Sequence, residues 1–123
     1  MSEHEQVWVK VNAPVDRGIS ELIRALSGFS RLRTVESCEG NNEWAWVCFA
    51  YGEDRDEEPW RELSDFVFGE IGPALVREFG SRLNVSIHIT EAGQFRAEMA
   101  VRRDAIPAVA KTLEGIKRQS LAA

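Results

Sequence analysis

The sequence predicts an α+β fold: a ferredoxin-like βαββαβ core extended by a strand and a C-terminal helix, with a mostly antiparallel sheet carrying its helices on one face. Three observations lead there. Apolar residues alternate strictly in Leu83, Val85, Ile87 and Ile89, and again in Phe95, Ala97, Met99 and Val101, which is the two-residue period of half-buried strands. Ile19, Leu22, Ile23 and Leu26 recur instead at helical spacing. The 123 residues, 44% hydrophobic and 28% charged, suit one domain spanning residues 1–123 with a single core.

Taken in order, Val7 to Val11 sets three valines on one side of a strand and Trp8 and Lys10 on the other. Asp16, shortly after Pro14, suits the cap of a first helix ending near Gly28. Leu32 to Cys38 and Glu43 to Ala50 read as two strands joined through Glu39-Gly40-Asn41-Asn42, residue types that tolerate the positive φ of a tight hairpin. The acidic stretch from Glu53 to Glu58 leads into Pro59, which suits a first helical position, and Trp60, Leu63, Phe66 and Val67 are expected on the buried side of that second helix. Pro73 predicts a kink or restart at Gly72-Pro73 before the helix resumes to Phe79. The strands from Leu83 and Phe95 form a second hairpin around Glu91-Ala92-Gly93. A last helix follows, with Asp104 as cap, Pro107 in its first turn, Ile106, Val109, Ala110, Leu113 and Ile116 inward, and a frayed tail beyond Lys117.

Composition excludes several classes. No apolar run approaches the roughly 20 residues of a membrane-spanning helix, and the polar, acidic start of the chain lacks the pattern of a secretory signal, so a cytoplasmic location is expected. Fifteen Lys and Arg against twenty Asp and Glu give a net charge of -5, which argues against general affinity for nucleic acid while leaving a local basic patch open. Cys38, Cys48 and the two histidines lack metal-ligand spacing, and no glycine-rich nucleotide turn occurs, so neither metal nor cofactor is expected. If Asn41-Asn42 is a two-residue turn, Cys38 faces Ala45 and Cys48 faces Val35, with the thiols on opposite faces. A register shifted by one puts them on one face, on a diagonal of about 7–8 Å, beyond comfortable disulfide geometry. Free thiols are expected either way.

Two places could carry function. The first is the turn Ser37-Cys38-Glu39-Gly40, where a hydroxyl, a thiol and a carboxylate follow in succession. A reactive thiol needs a nearby cation, and Cys38 has Glu36 and Glu39 as neighbours, which disfavour the thiolate. A packing role for Cys38 with Gly40 serving the turn, or a small-ligand loop using the turn's amides, are the other readings. The second place is the sheet face opposite the valines, where Trp8, Lys10, Trp44 and Trp46 are expected with Ser86, His88, Gln94, Arg96 and Glu98. Such a surface serves as a base-stacking platform, a small-ligand floor or a dimer interface, or its tryptophans lie under the last helix. His88 reads first as a structural histidine.

Val15-Asp16, Ile19, Leu22-Ile23, Leu26, Thr34, Ser37-Cys38, Gly40, Trp46-Val47 and Phe49 together resemble the start of the wybutosine-synthesising tRNA methyltransferase family, and the Ser-Cys-Glu-Gly turn is similar to that of small uncharacterised bacterial and phage proteins. The resemblance covers about residues 14–50. Glu36 and Glu39 stand where the methyltransferase family has serines, and Asn41 where it has arginine. It implies a shared βαββ unit and S-adenosylmethionine-dependent methylation. The reading that follows from the residues is a binding or interaction domain that forms a homodimer through its sheet face, with Trp8, Trp44 and Trp46 in the interface. The alternative is a nucleotide- or RNA-modifying enzyme using Ser37 to Gly40. Ser37, Cys38, Glu39, Gly40, Trp46, His88 and Arg96 are the candidates for a small-molecule ligand.

Overall fold

A computed structural model describes residues 6–9, 13–40, 43–53 and 56–122, with side chains from residue 18 to residue 119 among these. The chain is α+β, a four-stranded antiparallel sheet with three helical stretches on one face, consistent with a ferredoxin-like architecture. The strands are β1 (Gln6–Val9), β2 (Ala13–Asp16), β3 (Leu32–Cys38), β4 (Trp44–Tyr51), β5 (Leu83–Ile89) and β6 (Phe95–Arg102). The helices are α1 (Ser20–Ser27), α2 (Pro59–Ser64), α3 (Gly72–Phe79) and α4 (Ile106–Ala122). Sheet order is β3-β4-β6-β5, all antiparallel.

The periodicities explain the layers. Ala45, Val47 and Phe49 of β4 and Ala97, Met99 and Val101 of β6 point to one face and are fully buried there. Leu22, Ile23 and Leu26 of α1, Leu75 of α3, and Val109 and Leu113 of α4 cover them in one continuous core. Phe66, just beyond α2, anchors one end: its ring lies edge-on to Phe29 and Phe49, with centroids 5.2 and 6.2 Å away, and stacks on Tyr51 at 4.2 Å. Burying such a cluster contributes on the order of 2 kcal/mol per large side chain.

Five expectations are corrected. Trp60 does not share the buried side of the second helix with Leu63, Phe66 and Val67: it is 47% exposed in the first turn of α2. The first strand does not enter the main sheet: β4 and β6 pair directly, leaving no central slot, and β1 pairs with β2 in a separate ribbon with Trp8 opposite Pro14. A short local reversal costs less chain entropy than a long one. Asp16 ends β2 instead of capping α1, which follows a 3₁₀ turn at Arg17–Ile19. Asp104 likewise sits inside a 3₁₀ turn, Arg103–Ala105, ahead of α4. The C-terminal helix continues past Lys117 to Ala122.

The backbone widens ahead of Gly72-Pro73, and α3 restarts there. Residues Asp65–Ile71 form a π-helical stretch joining α2 to α3, and the Gly72 N–H donates to the Val67 carbonyl, five residues back. Lys10, Asn41 and Asn42, and the side chains of Trp8 and Asp16, lie outside the described residues. Among the described residues no helix is long and apolar enough to cross a membrane.

Candidate functional site

The face of the sheet away from the helices is organised by register. Cys38 lies opposite Trp46, which lies opposite Ala100, which lies opposite Asn84. The next row runs Glu36, Cys48, Glu98 and Ser86. Trp44 faces Arg102, whose guanidinium sits 5.7 Å from the indole ring and also donates to the Glu43 carboxylate at 3.1 Å. A band of Trp46, Cys48, Ala50 and Ala100 is thus bordered by Arg33, Glu36, Arg96, Glu98 and Arg102. Trp44 and Trp46 are half-buried, and Cys48 is only 8% exposed although no helix among the described residues covers this face.

The hairpin register differs from a two-residue turn at Asn41-Asn42, and the reason is a β-bulge at Val35. Leu32, Arg33 and Thr34 pair with Tyr51, Ala50 and Phe49 as that turn requires, but beyond Val35 the ladder shifts by one, so Glu36 meets Cys48 and Cys38 meets Trp46. The shift brings Cys38 onto the same face as Cys48, on a diagonal, and both are free thiols. Ser37 pairs with Val47 and therefore points to the helix side, away from Cys38.

Two polar contacts tie the Ser37 to Gly40 turn into the fold. The Gly40 N–H donates to Cys38 Sγ at 3.3 Å, and the Glu39 carboxylate accepts the Gly18 N–H at 2.7 Å, one turn before α1. A carboxylate there suits the positive end of a helix. Gly40 has φ 75°, and a Cβ at that position would collide with the Trp44 carbonyl oxygen. Of the amides expected to serve a ligand loop, that of Gly40 thus has a partner inside the turn, while Asn41 and Asn42 lie outside the described residues.

The seven candidate ligand residues do not converge. Ser37, Cys38, Glu39, Gly40 and Trp46 gather at one end of the sheet; His88 and Arg96, paired across β5 and β6, lie at the other. His88 is exposed, and the Arg96 guanidinium donates to the Phe95 carbonyl at 2.9 Å and to Gln94 Oε1 at 2.8 Å. Trp8, in the ribbon, does not share the sheet with Trp44 and Trp46.

Sequence reading missed an open cleft of about 280 Å³ at that second end, lined by Arg33, Tyr51, Gly52, Glu53, Phe95 and Arg96 among others. These residues come from three strands and a loop, so no local pattern marks them. Beside it Arg31 donates to Asp56 at 2.8 Å and to Glu62 at 2.9 Å and lies 5.5 Å over the Tyr51 ring. Burial, then Glu70, pushes the Tyr51 hydroxyl up from its ordinary value, and Arg31 opposes this. Burial is also the main cause that raises the Cys48 thiol, followed by Glu36 and Glu98. Such a thiol stays protonated and serves packing, not nucleophilic attack. Comparison of the chain with known protein families, with curated proteins and with solved structures finds no match, so the site rests on this chain's own residues.

Proposed function

We propose that the chain is a binding domain that works through the helix-free face of its sheet and that the face meets a second copy of the chain. The observation that carries this reading is the band of Trp44, Trp46, Cys48, Ala50 and Ala100 on the one sheet face without helices. A two-fold contact requires only that this one patch complement itself, and half-buried tryptophans supply large contact area at low entropic cost. The flanking Arg33, Arg96 and Arg102 alternate with Glu36 and Glu98, so two copies can oppose unlike charges around an apolar centre. Two free thiols fit a reducing compartment such as the cytoplasm.

The test is Trp46→Glu, which places a charge in the centre of the contact. Sedimentation velocity at high micromolar concentration is expected to give a self-associated wild type and a smaller species for the variant, with matching circular dichroism spectra. A monomeric wild type overturns self-association and moves the face to a small-molecule ligand.

A further inference from the structure

The order β3-β4-β6-β5 leaves two outer strands, and they are unlike. β3 carries Arg33 and Glu36, is interrupted by the bulge at Val35, and has β2 packed against it. Charges, bulges and covering segments all discourage edge pairing. Among the described residues β5 has none of these: it runs through Leu83–Ile89 in unbroken register with β6, without proline and without Asp, Glu, Lys or Arg.

The hairpin fixes which backbone groups of β5 face outward. The Thr90 N–H donates to the Gln94 carbonyl at 2.8 Å. In an antiparallel ladder, residues in step with Thr90, namely His88, Ser86 and Asn84, turn their N–H and C=O toward β6. Leu83, Val85, Ile87 and Ile89 therefore turn theirs to the free edge. Their side chains lie on the helix side, opposite Val101, Met99, Ala97 and Phe95. The core covers them incompletely: Val85 and Ile87 are partly buried and Ile89 is 64% exposed.

We propose that β5 pairs antiparallel with β5 of a second copy about a two-fold axis through Ser86, joining two four-stranded sheets into one. This register sets Val85 opposite Ile87 and Leu83 opposite Ile89, so every helix-side pair is apolar and every outward N–H and C=O meets its complement. On the other face Ser86 meets Ser86, and Asn84 meets His88, so polar meets polar. A chain of net charge -5 repels its own kind, yet the contact opposes no like formal charges along β5. At each end it brings Arg82 of one copy beside Glu91 of the other. The axis is perpendicular to the sheet and leaves Trp44 and Trp46 uncovered, so this contact is separate from the face contact and compatible with it.

Cysteine cross-linking reads the register directly. Facing residues that do not exchange hydrogen bonds lie about 4.5 Å apart at Cα, within disulfide reach. Under mild oxidation, Ser86→Cys is expected to shift from monomer to covalent dimer on a non-reducing gel, with the unmutated chain as control for Cys38 and Cys48. Asn84→Cys and His88→Cys are each expected to stay monomeric alone and to cross-link when mixed. Circular dichroism checks the fold of each variant, and Ile89→Lys, at an exposed position, is expected to weaken association in sedimentation. Absence of the Ser86→Cys dimer, or equal cross-linking by all three single variants, overturns the proposal. Adding Trp46→Glu to Ser86→Cys separates the two contacts. Cross-linking that persists supports the edge even where the face reading fails. A dimer that Trp46→Glu dissociates and Ser86→Cys never traps overturns the edge alone.

Discussion

At the scale of single residues, Cys48 shows how neighbours decide what a thiol does. Burial between Glu36 and Glu98 raises its proton affinity, and burial does the same for Tyr51. A group whose folded pKa lies above its unfolded value contributes stability that is complete below the unfolded value and is lost as pH rises through the folded one. The ordinary values are 9.0 for the thiol and 10.0 for the phenol, so the melting temperature is expected to hold below about pH 9 and to fall above it. Cys48→Ala should soften the first part of that fall. The same burial makes Cys48 slow toward a thiol reagent in the native protein, with Cys38 modified first and Cys48 only on unfolding. Equal modification rates in buffer and in urea would contradict this. That both cysteines are free was legible from strand register, but the choice between opposite faces and one shared face stayed open, because it turns on one extra residue at Val35 that sets the side on which Cys38 lies.

At the scale of elements, the stretch from Pro59 to Phe79 accommodates Pro73 by changing its helical period. Pro73 has no N–H to give, and in a regular helix its ring would press on the carbonyl four residues back. The π-helical stretch widens the turn, and Gly72 then approaches the Val67 carbonyl so closely that a Cβ would collide with it. Gly69, in the same stretch, has open space around it. Gly72→Ala is therefore expected to destabilise by about 1–3 kcal/mol, and Gly69→Ala to be neutral or stabilising by up to about 1 kcal/mol. Urea unfolding of the two variants checks this, and equal effects would refute the close-approach argument. Sequence reading located the disturbance at Gly72-Pro73, since proline chemistry is local. It did not see that a wider turn resolves it, because that outcome depends on Phe66, Val67 and Ile71 staying buried.

At the scale of the whole molecule, the layers were legible because two periods, 2 and 3.6, assign each residue to a face before any partner is known. Contacts made at long range were not. The Glu39 carboxylate reaches the Gly18 N–H across twenty-one positions, and the cleft beside Arg96 and Arg33 exists only once β3, β4 and β6 lie together. The strand Ala13–Asp16 was hidden by Pro14, a residue that speaks against strands. The same division between local and distant pairing governs how the chain reaches its fold. β3 with β4, and β5 with β6, are hairpins that close over short loops. The seam between them joins Cys48 to Glu98, about fifty positions apart, and loop closure of that length must be completed before its contacts repay it. Two hairpins are therefore expected to form early, with the docking of β4 on β6 limiting the rate. Met99→Ala, at the seam, should slow refolding, whereas Leu32→Ala, on the outer strand, should chiefly speed unfolding. Chevron analysis distinguishes them, and a transition state equally sensitive to both would mean that the sheet condenses as one unit.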